Sequence, residues 1–137
     1  MTEPEPALRI IGYVRSALTA LAAAPRQGDE GAPSARIELD PALRAGLDGV
    51  AAGDELVLLT WLHRSRRDVL TLHPRNDPSL PLTGVFATRS PDRPNPIGLH
   101  RVRVVAAEEG ALLVEPLEAI DGTPVLDIKP VWRAADH

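Results

Sequence analysis

The sequence predicts an all-β protein, a single closed or nearly closed β-barrel with one or two short helices. Three observations indicate this fold class. The apolar residues fall into eight or nine short runs, and several of these alternate with polar residues as half-buried strands do. Fourteen prolines and ten glycines among the 137 residues separate the runs. Little of the chain has helical periodicity, and many short strands joined by turns are typical of a barrel.

The first half of the chain contains two predicted strands and the helical candidates. Residues 8–15 predict the first strand, and the alanine-rich residues 16–24 are suited either to a short helix or to a covering segment. Ala35–Leu39 alternates and predicts the second strand. Asp40 is suited to cap one or two helical turns over Pro41–Leu47, because proline is favoured at the first helical position.

The second half of the chain contains the most apolar run, residues 55–62, which is apolar on both faces and therefore predicts a central strand. The strand at 97–105 alternates, so that His100, Val102 and Val104 share one face. Further strands are predicted at residues 68–72, 82–88, 111–117 and 125–128.

The length of 137 residues suits one domain with a hydrophobic core, and we expect a single domain over residues 1–137. The chain has no cysteine, which excludes disulfides, a thiol nucleophile and cysteine-ligated metals, and no metal site is predicted. No apolar run approaches the length of a membrane span, and the acidic, proline-containing start is unlike a secretory signal. We therefore expect a cytoplasmic protein with no membrane partner.

Positive charge is concentrated in one part of an acidic chain. The net charge is −4, yet residues 61–103 hold eight arginines and three acidic residues, a local net charge of +5. This stretch is either a solvated basic surface or a positive face that meets an anion. Arginine suits the second role, because its planar guanidinium forms bidentate contacts with phosphate and carboxylate.

Residues 84–100, GVFATRSPDRPNPIGLH, predict a stiff loop between two strands. Three closely spaced prolines exclude a helix or an ordinary central strand. Arg89, Arg93 and Asn95 place hydrogen-bond donors on this restricted backbone, where ordering them around a ligand costs little entropy. The alternative is a rigid connector with solvated arginines.

The stretch TRSPDRPNPIG resembles the signature of the TrmO family, also called TsaA-like or YaeB-like proteins. The IGYVRS strand at residues 11–16 and the DGTPVLDIKP stretch at residues 121–130 match the same pattern. The similarity covers residues 8–130, nearly the whole chain. Members of this family are S-adenosylmethionine-dependent tRNA methyltransferases.

The resemblance implies a β-barrel methyltransferase that binds S-adenosyl-L-methionine and works as a homodimer, with the cofactor near the subunit interface. The implied reaction methylates N6 of threonylcarbamoyladenosine, beside the anticodon, so the implied partner is a tRNA anticodon loop. Longer family members carry a C-terminal domain that we expect this chain to lack. The implied cofactor-binding residues are Pro25, Arg26, Gln27, His63, Arg64, Arg89, Leu99, Glu118, Ala119, Ile120 and Asp121.

The chemistry of these side chains fits that cofactor. Its ribose hydroxyls suit a carboxylate such as Glu118 or Asp121, its own carboxylate suits an arginine, and its sulfonium activates the methyl group. Arg93 and Asn95 are the candidate catalytic residues, expected to orient the methyl acceptor. The polar clusters follow strand ends, and one rim of a barrel can bring them together.

Several alternatives remain open at this level. His63 also suits a structural histidine, and the Asp-Gly pair at residues 121–122 suits a simple turn. Trp61 and Phe86 lie in apolar runs and are expected in the core. The methyl acceptor can be a small molecule instead of tRNA, because the chain is short and acidic. A non-catalytic S-adenosylmethionine-binding module is the third possibility.

Overall fold

The computed structural model describes residues 4–17 and 33–132. In this part of the chain there are eight strands: β1 (Gly12–Arg15), β2 (Ala35–Leu39), β3 (Glu55–Trp61), β4 (Thr71–Leu72), β5 (Thr83–Gly84), β6 (Ile97–Glu108), β7 (Ala111–Glu115) and β8 (Pro124–Pro130). The short 3-10 helices Pro41–Leu47, Pro74–Asn76 and Val85–Ala87 lie between them. The predicted all-β class is confirmed.

Six of the strands close into an antiparallel barrel in the order β1-β2-β7-β6-β3-β8, and β8 returns to β1. The seam is made by Gly12, which is paired with Leu39 of β2 on one side and Val125 of β8 on the other. The remaining strands, β4 and β5, pair with each other outside the barrel. We call residues 70–87, which contain both, the arm.

The barrel interior is filled by aliphatic side chains that alternate along each strand. On β3 the residues Leu56 and Leu58 are buried, and on β6 the residues Val102 and Val104 are buried, while their neighbours face outward. This alternation follows from the two-residue side-chain period of a strand. The alternating pattern in the sequence therefore assigned the inward face of β6 correctly.

The prediction that β3 is a central strand is confirmed, because it pairs with β6 along its whole length and with β8 on the other side. The pairing with β8 contains a bulge. Leu59 lies opposite Asp127 and Thr60 lies opposite Val125, so Leu126 is the extra residue. The bulge changes which residues of β8 point inward.

Several predicted strand bounds differ from the observed ones. The predictions at residues 68–72 and 82–88 are reduced to the two-residue strands β4 and β5, because residues 85–87 form a 3-10 helix and residues 68–70 pair in no strand. β1 begins at Gly12 instead of residue 8, and β6 continues to Glu108, past a second irregularity at Val105. The predicted helical turns are confirmed as a 3-10 helix, and Asp40 caps them by accepting a 3.0 Å bond from the backbone N–H of Ala42.

Residues 18–24 of the alanine-rich segment lie outside the described residues. Within the described ranges, no helix has the length and apolar character needed to cross a membrane.

Gly12 gives the first testable prediction. A Cβ there would lie 2.2 Å from the backbone oxygen of Glu38, so Gly12→Ala must push β1 away from β2. We expect the free energy of unfolding to fall by about 1–3 kcal/mol, measured by urea denaturation. Gly46→Ala is the control, because no atom lies within 4 Å of a Cβ at that position. Equal stability of the two variants would contradict the prediction.

Candidate functional site

Three connections leave the barrel at the same end. Because neighbouring strands are antiparallel, the carboxyl ends of β1, β3 and β7 lie beside the amino ends of β2, β6 and β8. Residues 16–34, 62–96 and 116–123 make the three connections. We call this end of the barrel the site rim. All predicted site residues except Leu99 belong to these connections, although Pro25, Arg26 and Gln27 lie outside the described residues.

The connection at residues 62–96 is fastened where it leaves and re-enters the barrel. The backbone N–H of Leu62 donates to the oxygen of Pro96 at 2.8 Å, and the N–H of Arg93 donates to the oxygen of Arg66 at 3.0 Å. Asp92 adds a bond by accepting from the N–H of Arg66 at 2.9 Å. The proline-rich loop is therefore held against the chain that leaves β3.

Arg93 binds its own loop. Its guanidinium donates to the backbone oxygens of Thr88, Ser90 and Val85, each at 3.0 Å. One planar group thus joins the end of the arm to the proline-rich loop. Three of the five N–H donors of an arginine are used in this way.

Arg67 clamps the other side of the loop. Its Nε donates to the oxygen of Pro94 at 2.8 Å, and its Nη2 donates to Oδ1 of Asn95 at 3.1 Å. The same guanidinium lies 5.1 Å from the ring centroid of Trp61, which is a cation–π distance. Trp61 is therefore half-buried beneath an arginine and not in the core as expected.

Two carboxyl groups in this connection titrate below their usual range. The side-chain hydrogen bond from Arg66 is the main cause that lowers the pKa of Asp68, and the same pair raises the pKa of Arg66. The hydroxyl of Ser79, followed by its backbone N–H, lowers the pKa of Asp77. Both carboxylates are exposed and ionised at neutral pH, so they offset part of the arginine charge.

The arm carries apolar side chains into solvent. Phe86 is 79% exposed, and Leu70 and Leu82 are also exposed. The expectation that Phe86 belongs to the core is wrong, because Val85–Ala87 forms a 3-10 turn on the two-stranded arm in which Val85 alone is buried. The arm is thus an apolar projection beside the proline-rich loop.

The connection at residues 116–123 is hydrogen-bonded to the end of β1. Oδ1 of Asp121 accepts from the backbone N–H of Ser16 at 3.0 Å, and the N–H of Gly122 donates to the oxygen of Val14 at 2.8 Å. Gly122 has φ of 83°, which glycine adopts without strain. The expected tight turn is present, with Ala119 and Ile120 buried before it.

Glu118 belongs to a buried polar group that the sequence did not reveal. Its Oε1 lies 2.5 Å from Nδ1 of His100, and Nε2 of His100 lies 2.6 Å from Oγ1 of Thr60. Thr60 and His100 are on the inward face of the barrel, and the Glu118 side chain is 16% exposed. The available signal was the shared face of His100 with Val102 and Val104, which placed a histidine among core residues.

The other predicted residues lie around this group at different depths. His63 and Arg64 are exposed in the turn that follows β3, and Arg89 is exposed on the proline-rich loop. Leu99 is 52% exposed on the outer face of β6, opposite Leu59 of β3. The structure therefore separates Leu99, outside the barrel wall, from the inward-pointing His100 that contacts Glu118.

The described residues contain no group of three or more histidine and acidic side chains arranged to hold a metal ion. The described polar side chains of the site rim include carboxylates, amides, hydroxyls, guanidinium groups and the imidazole of His63.

Comparison with known proteins assigns the family. Residues 13–137 match the family model described as tRNA-methyltransferase O N-terminal domain. The chain belongs to the TrmO family. The predicted resemblance is thereby confirmed.

Curated relatives of this TrmO-family chain carry related names. The probable S-adenosyl-L-methionine-binding protein of Methanothermobacter thermautotrophicus is 38% identical over 99% of this chain and 97% of its own length. A protein of the same name from Archaeoglobus fulgidus is 42% identical over 94% of this chain. The alignment covers only 35% of that longer protein.

A solved structure has the same fold. The crystal structure of TrmO from Pseudomonas aeruginosa superimposes with a TM-score of 0.76 at 35% identity, covering 97% of this chain. This chain spans 59% of the length of that protein.

Arg93 gives the second testable prediction. Arg93→Met removes three bonds to backbone oxygens, so we expect the free energy of unfolding to fall by about 1–3 kcal/mol. Urea denaturation measures this loss, and limited proteolysis should cut residues 62–96 faster. Arg101→Gln is the control, because it removes only an exposed ion pair with Glu55. Unchanged cleavage in Arg93→Met would mean that these bonds do not hold the loop.

Proposed function

We propose that this chain binds S-adenosyl-L-methionine at the site rim and transfers its methyl group to N6 of threonylcarbamoyladenosine next to the anticodon of a tRNA. The observation that carries the proposal is the family match over residues 13–137. The names of the relatives, S-adenosyl-L-methionine-binding protein and TrmO, support it. The arrangement of the rim adds chemical support.

The residues at the rim fit this cofactor. Glu118 and Asp121 supply carboxylates for ribose hydroxyls, and each has one oxygen already fixed, by His100 and by the N–H of Ser16. Arg89 is exposed on a loop of restricted conformation and suits the carboxylate of the cofactor. His63, Arg64, Leu99, Ala119 and Ile120 complete the proposed binding set, together with Pro25, Arg26 and Gln27. The bound cofactor supplies a methyl group activated by a sulfonium charge.

Asn95 is the proposed residue that orients the methyl acceptor. Arg67 holds its amide oxygen, which leaves the amide nitrogen as the group that meets the acceptor. Arg93 acts in this proposal by holding the loop that carries Asn95. Alignment of the acceptor is the main requirement, because the cofactor already carries an activated group.

The partners in this proposal are a tRNA anticodon loop and a second copy of the chain, in the cytoplasm. The exposed ring of Phe86 suits stacking on an unpaired base, and the arginine-rich connection suits phosphate. The exposed side chains of Ile97 and Leu99 on the outer face of β6 support burial against another subunit.

Methyl transfer is the direct test of the proposal. The purified protein with isotopically labelled S-adenosylmethionine should transfer label to threonylcarbamoylated tRNA and not to the same tRNA without that group. Raising the salt concentration should weaken tRNA binding steeply, because phosphate contacts release counterions. Cofactor binding without label in the modified tRNA would overturn the proposed acceptor. Weak salt dependence would instead favour a small-molecule acceptor.

Arg89 provides a separate prediction about the cofactor. Arg89→Ala removes a charge-assisted bond to the cofactor carboxylate, so the Kd measured by calorimetry should rise about 10- to 100-fold. Arg9→Ala is the matched control, because Arg9 is 66% exposed and makes only a 3.9 Å ion pair with Asp40. Equal Kd values for the two variants would place Arg89 outside the cofactor site.

A further inference from the structure

A buried polar chain runs from the barrel interior to the site rim. Thr60 is fully buried, His100 is 5% exposed, and the Glu118 side chain is 16% exposed. The surrounding interior is aliphatic, with Leu58 and Val102 beside His100 on the inward face. Polar groups in such a place are costly unless they are fully hydrogen-bonded.

The register of β3 against β6 creates the space for the side chains of Thr60 and His100. Thr60 lies opposite Gly98, and His100 is two residues further along β6, so their side chains meet diagonally on the inward face. A Cβ on Gly98 would lie 2.5 Å from Oγ1 of Thr60 and 2.6 Å from Nε2 of His100. The glycine of the proline-rich motif therefore leaves room for the Thr60–His100 bond.

The donors and acceptors fix the direction of both bonds. An ionised carboxylate only accepts, so Nδ1 of His100 carries the proton that it donates to Glu118. In a neutral imidazole Nε2 then accepts, and the hydroxyl of Thr60 is its donor. Glu118 thus selects the tautomer of His100, Thr60 satisfies the remaining ring nitrogen, and His100 fixes one oxygen of Glu118.

Stability alone does not explain this arrangement. Buried polar and ionic groups are often replaced by aliphatic residues of similar volume without loss of stability. The hydrogen-bonded series from Thr60 through His100 ends on the carboxylate of Glu118, which is still accessible from the site rim. The bond of this carboxylate to His100 uses only Oε1. The second oxygen is therefore presented in one orientation, as a preorganised ligand group requires.

We propose that Thr60 and His100 are positioning residues, which hold the carboxylate of Glu118 in the orientation that receives the ribose hydroxyls of the cofactor. This inference rests on the proposed function, because it assigns His100 and Thr60 to the cofactor site described above. His100 itself touches no ligand and acts only through Glu118.

The test compares two variants of similar shape. His100→Asn keeps a side-chain N–H that can donate to Glu118, whereas His100→Leu has the same branching without a donor. We expect His100→Leu to raise the calorimetric Kd for S-adenosylmethionine about 10- to 100-fold, and His100→Asn to restore most of the affinity. Equal loss in both variants, or no loss in either, would overturn the inference.

Thr60 supplies a second pair of variants in case the histidine variants fold poorly. Thr60→Val is isosteric and removes the donor to Nε2, whereas Thr60→Ser keeps it. We expect about 3- to 10-fold weaker binding for the valine variant only. Val104→Ala is the control for general core damage, because it leaves a cavity four residues away on β6 and should lower stability without changing Kd.

The ligand completes a double-mutant cycle. With an S-adenosylmethionine analogue whose ribose lacks both hydroxyl groups, wild type and His100→Leu should bind with equal Kd, because the same interaction is already absent. An equal factor of loss for both ligands would mean that His100 acts elsewhere. If wild type bound neither cofactor nor analogue, the proposed function would fail and the inference with it. Normal wild-type binding with an unaffected His100→Leu would remove the inference alone.

Discussion

The site depends on the close approach of β1 to β2 at Gly12, which closes the barrel. The short strand β1 lies between β2 and β8, and only a residue without a side chain permits its approach to the backbone of Glu38. At the rim, Gly122 bonds to Val14 of this strand and Asp121 bonds to Ser16, the residue that follows it. Closure therefore does more than bury the core, because it fixes the end of β1 against the connection that carries Glu118.

The arginines of the basic stretch divide between building the loop and facing solvent. Arg67 and Arg93 bind backbone oxygens, and Arg66 is paired with Asp68. These guanidinium groups replace the regular backbone pairing that three closely spaced prolines prevent. The local net charge of +5 consequently overstates the charge available to an anion, whereas Arg89 remains exposed.

Local patterns in the sequence predicted the barrel strands well, since β2 has the predicted bounds and the inward face of β6 follows from its alternation. They failed for Phe86, because an apolar run is equally compatible with a core strand and with a turn on a projecting arm. The hydrogen bonds that join Thr60, His100 and Glu118 could not be predicted from local sequence patterns either. These residues are far apart in the chain, and only the register of β3 against β6 brings the first two together.

The bulge in β8 shifts the alternation of inward-facing and outward-facing residues by one position along this strand. Val125 points into the core before the extra residue Leu126, and Ile128 packs against the core after it, so inward positions shift from odd to even numbers along one strand. A regular alternation that starts from Val125 would place Ile128 on the outer face, whereas Ile128 packs against the core.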